Sequence, residues 1–394
     1  SMLYYLNNTQ NNKNAPNENY AREFLELFTI LKGPQIGQGN YTNYTEIDVQ
    51  QAAKVLSGFK VVVNRTTIDT ETNLPSGYAN ISQHNTSNKT FSDALKSPAF
   101  SDGIITGRNT AAGMLDELDD FVEMVFAKPE TAKAYCRKLY KFYVKSEWNE
   151  TVETDIITPL SQLLISNNFE ILPVVKTLLA SEHFYDTDDG DPTNNIIGSI
   201  IKSPLQILTE VCSMFNLNIP NPNTDALRFY TNFYLYFIHN VYLKGAGMDF
   251  YNPESVAGYP AHYQEPDFDR LWFSSNTLIA RYKLIEGLII GKNTITTGNI
   301  YTKLDTVLFV KNTISNPSNP NDLVTEIANL LYPESIDTDR TNYFKTFLVD
   351  VGFPDYYWTG AWNDYISTNV NTTVKIRLDA LITAMVNAAE FQLM

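Results

Sequence analysis

Three charged residues in "NENYAREFLELF" stand four apart: Glu18, Arg22 and Glu26. On a helix such steps stack on one face, so Arg22 can pair with a carboxylate on either side. Ala21 and Leu25 lie between this line and Phe24 and Phe28, which widens the apolar arc. The strip is therefore expected to be partly buried. Buried carboxylates shift their pKa and need partners, and the planar guanidinium fork suits two of them. A buried ion network is the first expectation for these residues, and a ligand or catalytic site the second.

A polar loop holds His84 and Lys89, with Asn85 and Asn88 beside them. His262 stands in a second loop with Asp249, Glu254 and Glu265. Histidine titrates near neutral pH and serves as base, ligand or loop-fixing donor. Glu18, Glu26, His84 and His262, with Lys89, would make a hydrolase site if folding brought them within hydrogen-bond reach of one cleft. His183 closes a helix and suits a dipole-complementing or core role. His239, between Phe237 and Val241, is expected in the core. "DTDDGD" offers Asp186, Asp188, Asp189 and Asp191 around Gly190, part of a calcium-loop pattern. A full loop needs Glu at the twelfth position, where this chain has Ile197, so an exposed acidic turn is the plainer expectation. No cofactor fingerprint, phosphate loop or complete catalytic motif is present. Cys136 and Cys212 belong to no metal-ligand spacing and read as small hydrophobes, with pairing left open.

The elements that must position these groups are mainly helical. The chain has 394 residues, 43% of them hydrophobic and 19% charged, enough for an ample core. Its charge of −15 repels a phosphate backbone, so nucleic-acid binding is not expected. Twenty-four Tyr and 22 Phe suit broad, half-polar contact surfaces. No run of apolar residues is long enough to span a bilayer. Tyr20, Phe24, Leu27, Phe28 and Leu31 predict a helix capped by Asn17 and ended at Gly33-Pro34. Thr45 with Asp48 predicts a capping box, and Gly58 ends that helix. Residues 59–105, β-branched and rich in Asn, Ser and Thr, predict a small β/loop insertion with one or two short strands or a hairpin. Met114, Leu115, Leu118, Phe121, Val122, Val125 and Phe126 mark one helical stripe, and Pro129 opens the next helix. Further helices are expected near 152–166, 169–182, 203–217, 224–243, 270–290 and 373–389, with a long loop at 244–269. The fold class is mainly α, an irregular multi-helix domain over 1–394. A subdivision into 1–290 and 291–394 is the alternative.

"NENYAREFLELFTI", "YTEIDVQQAAKVLSGF", "QHNTSNKTF", "KPETAKAYCRKLYKFYV", "IIKSPLQIL", "FYNPESVAGYP", "WFSSNTLIARY" and "AAEFQLM" follow one another along the chain. In that order they resemble the bacterial family called domain of unknown function 1800. The resemblance implies an α-rich fold and frequent export to the periplasm or beyond, but no settled activity. Members usually begin well before the first of these segments. The chain is thus expected to start inside the domain, leaving an apolar groove near Leu3, Tyr4 and Leu6. Two positions depart from the pattern: Asn85 follows His84 where Asp is usual, and Tyr259 replaces a Trp between Gly258 and Pro260. Loss of that acid weakens a base or metal role for the His84 loop. The first functional expectation is an exported binding or scaffold protein acting with partner proteins or surface glycans. The second is the hydrolase built on the Glu, His and Lys set.

Overall fold

A computed structural model describes residues 2–62, 66–187, 196–291 and 302–394. The described residues are mainly helical, with three two-stranded antiparallel ladders. Contacts group them into two compact units. One holds Ser1–Tyr143 and Glu147–Phe184; the other holds Val144–Ser146 and Tyr185–Met394. Position 290 falls inside the second unit.

In the first unit, α1 (Asn19–Glu23) runs into one π-helical turn, Phe24–Phe28. The chain leaves the helix at Thr29, whose hydroxyl donates to the Phe24 carbonyl at 2.7 Å. The helix thus stops short of Gly33-Pro34, with Leu31 already at φ +62°. Asn17 acts one step outside the helix, its side chain accepting from the Asn19 N–H at 3.0 Å. An unexpected hairpin follows, β1 (Gln35–Gly37) with β2 (Asn40–Tyr41). The Thr45–Asp48 capping box opens α2 (Glu46–Val55), as its sequence predicts. Gly58 follows at φ +83°, where a Cβ would lie 2.7 Å from the Asn80 carbonyl oxygen. Only glycine allows that approach.

The insertion at 59–105 is β- and loop-rich as expected, with four short strands rather than one or two: β3 (Phe59–Val61) pairs with β4 (Gly77–Ala79), and β5 (Lys89–Thr90) with β6 (Ile104–Ile105). Helices α3 (Ala111–Phe126), α4 (Pro129–Tyr143), α5 (Thr158–Ser166) and α6 (Ile171–Leu179) complete the unit. The buried face of α3 carries Met114, Glu117, Phe121, Met124 and Val125, while Leu115 faces water. An acidic residue therefore stands in the apolar stripe. Phe121, Met124 and Val125 of that stripe join Ala21, Leu25, Val49, Ala52 and Ala53 in a core cluster of the unit.

The second unit contains α7 (Pro204–Met214), α8 (Arg228–Leu243) and α9 (Ser275–Ile290). It continues with α10 (Thr306–Thr313), α11 (Pro320–Leu331) and α12 (Thr338–Lys345). It ends with α13 (Tyr356–Thr368) and α14 (Thr372–Val386). Ser203, Pro204 and Gln206 start α7 with the expected cap and N-terminal proline. Helix α8 is wide-turned, with i→i+5 bonding. Helix α14 is the hub: Val374, Leu378, Leu381, Ile382 and Met385 recur at helical spacing, and it packs against α9 to α13. The 244–269 loop carries a short helix, Pro260–Tyr263, and its Met248 and Ala261 form a small core with Trp272 just beyond it. Among the described residues no helix is long and apolar enough to cross a membrane. Near the start, Leu6 is buried while Tyr4 and Tyr5 are exposed.

Candidate functional site

Arg22 is clamped by two acids, but they are Glu18 and Glu46. Its Nη1 and Nη2 donate to the two Glu46 oxygens at 3.1 and 2.7 Å, and Nη2 also reaches Glu18 at 3.3 Å. Glu26 leaves the line because the π turn widens the helix between residues 24 and 28 and rotates it away. It pairs with Lys32 and accepts from the Tyr44 hydroxyl at 3.2 Å. The Arg22 side chain keeps 34% of its surface in water, so the expected buried strip is a half-exposed clamp. Hydrogen bonding to Arg22 holds the Glu46 carboxyl below the usual carboxylate range. At that exposure the pairs contribute about 1 kcal/mol or less each.

The deeply buried polar group lies at the other end of α2, roughly 15 Å away at 1.5 Å rise per residue. His84, Lys89 and Glu117 have no side-chain surface in water. His84 Nε2 lies 3.2 Å from a Glu117 oxygen and Nδ1 lies 2.8 Å from the Ser57 carbonyl. Lys89 Nζ donates to that same Glu117 oxygen and, at 2.6 Å, to the Asn85 carbonyl. The second Glu117 oxygen accepts the Arg108 backbone N–H. Burial acts to raise the Glu117 pKa. Hydrogen bonds from His84, Lys89 and Arg108 outweigh it and leave the carboxyl below its ordinary value. Burial also pulls the Lys89 ammonium down, against the charge of Glu117.

Asn85, the departure from the family pattern, uses its carboxamide oxygen to accept from the Ser87 N–H and hydroxyl at 3.0 and 2.6 Å. It shapes the loop and leaves the carboxylate role to Glu117, 33 residues from His84 in sequence. Asp48 closes a neighbouring knot: its carboxylate accepts from the N–H and hydroxyl of both Thr45 and Ser92, all within 2.9 Å.

Because the Glu117 pKa is depressed on folding, its stabilisation is complete above its unfolded value near 4.5 and is lost as pH falls through the folded value. Urea midpoints should therefore drop on acidification below that point. Glu117→Gln should flatten the drop; an unchanged slope would contradict this assignment.

The remaining candidates make other contacts. His262 belongs to the second unit, exposed beside Tyr259 and Trp272, whereas Glu18, Arg22, Glu26, His84 and Lys89 belong to the first. His239 is not a core residue: it is half-buried and pairs with Asp249 at 3.1 Å. His183 meets the Tyr140 hydroxyl at 2.9 Å. Asp186 accepts the backbone N–H groups of Ile196 and Ile197, while Asp188, Asp189 and Asp191 lie outside the described residues. Among the described residues no three acidic, His or Cys side chains converge as a metal site. Cys136 and Cys212 are free, and burial pushes their thiols up to about 12 and about 11.

The second unit has its own buried polar cluster, which the sequence did not reveal. Arg281 is buried, donating to the Gln392 carboxamide at 3.1 Å and the Lys202 carbonyl at 2.8 Å. Its guanidinium also sits 4.8 Å from the Phe273 ring centre. Burial lowers its pKa to about 10. Lys202 reaches Glu210 at 2.7 Å and the Phe391 ring at 4.6 Å.

The surface of this unit carries a different feature. Asp350–Phe353 form a turn closed by the Phe353 N–H to the Asp350 carbonyl at 3.0 Å. Beyond it, Trp358, Trp362 and Tyr365 point inward from α13 and leave its first two residues outside. Val351 is 84% exposed, Phe353 54%, Tyr356 65% and Tyr357 51%. Tyr356 stacks on Tyr357 at 4.8 Å, and Phe353 meets Tyr357 edge-on at 5.2 Å.

Two mainly helical units, each tied by a buried polar cluster drawn from distant segments, define the class. The family model described as "Protein of unknown function (DUF1800)" matches residues 1–393, and the chain belongs to that family. Neither the curated proteins nor the solved structures contain a match.

Proposed function

We propose that the protein is an exported binding or scaffold protein, working in the periplasm or outside the cell, with the Val351–Tyr357 turn as its contact surface. The observation that carries this is the exposed ring cluster on a firmly held frame. Tyr rings give large contact area for little lost side-chain entropy, and contiguous exposed apolar patches mark interaction sites. The frame is fixed from behind: Trp358 Nε1 donates to the Pro317 carbonyl at 2.8 Å, and Asp355 meets Lys345 at 3.3 Å. The acid, histidine and lysine groups of the first unit support the same reading. His84, Lys89 and Glu117 are spent on one another and have no side-chain surface open to a substrate.

The wild-type protein should co-sediment with the cell envelope of its source. A Tyr356→Ala/Tyr357→Ala variant, which removes exposed rings only, should be released while keeping its unfolding midpoint. Equal retention of the two proteins would contradict the assignment of the surface.

A further inference from the structure

We propose that His84 is held as a buried imidazolium, and that its second proton is a pH-sensitive latch on the 84–90 segment. Hydrogen-bond geometry carries this. The ring has no side-chain surface in water, so each nitrogen must find its partner within the protein. Nδ1 lies 2.8 Å from the Ser57 carbonyl oxygen, which can only accept. The Ser57 hydroxyl, 3.4 Å from the same nitrogen, gives its proton to the Lys54 carbonyl at 2.6 Å and accepts the Asn85 N–H at 2.9 Å. It has no proton left for the ring. Nδ1 is therefore a donor.

Nε2 lies 3.2 Å from Oε2 of Glu117. That carboxyl also receives the Lys89 ammonium and the Arg108 backbone N–H, the surroundings of an ionised acid, which likewise only accepts. A neutral imidazole has one N–H and one lone pair. Here the lone pair would face an oxygen lone pair with no water between them. The doubly protonated ring satisfies both contacts, and the neutral ring satisfies one.

The charges around the ring make this proton the one that gives way. Lys89, from β5, reaches the same Glu117 oxygen, so two cations share one carboxylate of α3. Beyond them Arg108 pairs with Asp120 of α3 at 2.7 Å, and Lys54 of α2 adds positive charge on the Lys89 side. An imidazole is a weaker base than an amine, so as pH rises it yields first. Nε2 is then left lone pair to lone pair with Glu117, and the 84–90 segment keeps only Lys89 as its side-chain tie to that carboxylate. An unfolded histidine releases its proton near about pH 6.5. The stabilisation from the trapped proton is thus complete below that value. Above it the folded-to-unfolded ratio falls about tenfold per pH unit, until the folded ring also titrates.

Nitrogen-15 spectra of the histidine rings in the full chain test the first half. His84, assigned by correlation from its ring to its own backbone, should carry a proton on both nitrogens at about pH 8. A single N–H on the ring of the folded protein would overturn the imidazolium. Hydrogen-exchange protection, corrected for the intrinsic rate at each pH, tests the latch. Protection of Lys89–Thr90 and Ile104–Ile105 should fall tenfold or more as the second proton leaves, while α4 keeps its own. Level protection through that titration would overturn the latch. A third reading uses His84→Gln: its urea stability should decline less steeply than wild type above about pH 6.5, by the slope of one proton. An identical decline would contradict the trapped proton, and the ring spectra decide the question should that variant not fold.

Discussion

Glu117→Ala should cost the first unit about 3–5 kcal/mol, the range for removing one partner from a buried ion pair. The carboxylate receives His84, Lys89 and the Arg108 backbone N–H. Without it the ammonium stays buried with the Asn85 carbonyl as its remaining acceptor among these groups, and β5 and the His84 loop lose their tie to α3. The loss should appear as faster amide hydrogen exchange in Lys89–Thr90, Ile104–Ile105 and α3, with a lower urea midpoint. A surface change such as Glu18→Ala should cost a small fraction of that, because water already screens the Arg22 clamp. Equal costs for the two variants would contradict the burial argument.

Arg281→Ala should destabilise the second unit by about 3 kcal/mol or more. Deleting a large buried side chain leaves a cavity, worth roughly 2–5 kcal/mol for residues of this size. It also strands the Lys202 carbonyl and the Gln392 carboxamide oxygen, each costing about 1–3 kcal/mol if no water replaces the donor. Arg281→Met separates the two effects. Met restores most of the volume and removes a buried charge together with the Arg281 Nε–H, which has no partner among the described residues. Met should therefore recover a large part of the lost stability. If Met and Ala are equally destabilising, the hydrogen bonds outweigh the cavity; if neither is destabilising, Arg281 is not the tie described here. Guanidinium unfolding followed by tryptophan fluorescence reads this, since Trp272, Trp358 and Trp362 all belong to this unit.

What could be read from the sequence was local. Thr45 with Asp48, and Ser203-Pro204 with Gln206, specify helix starts within four residues, and both form. Apolar spacing gave the helical class and most helix positions, and β-branched composition located the insertion at 59–105. The errors came from geometry that composition does not carry. One π turn was enough to remove Glu26 from the Glu18–Arg22 line and bring in Glu46, 24 residues beyond Arg22. The acidic residue in the α3 stripe has no local pattern to mark it, because its partners, His84 in a loop and Lys89 in β5, stand 33 and 28 residues away. Its presence among apolar neighbours was the available signal. Arg281 depends on groups 79 and 111 residues distant, a separation no local pattern encodes. Four of the segments that carry the family resemblance supply Arg22, Glu46, His84 and Lys89, and Arg281. Two more supply Lys202 and Gln392. In this fold those residues hold segments to one another.

A double-mutant cycle on Lys89 and Glu117 tests that claim most directly. Lys89→Met and Glu117→Leu alone should each destabilise the first unit strongly, because each leaves an opposite charge buried without its main partner. Together they should lose clearly less than the sum of the singles, with a coupling in the upper part of the roughly 0.5–3 kcal/mol range usual for touching residues; a residual loss remains because Glu117→Leu also takes the acceptor from His84 and the Arg108 N–H. Additive losses, with the double variant as unstable as the sum of the singles, would show that the pair does not hold the unit together.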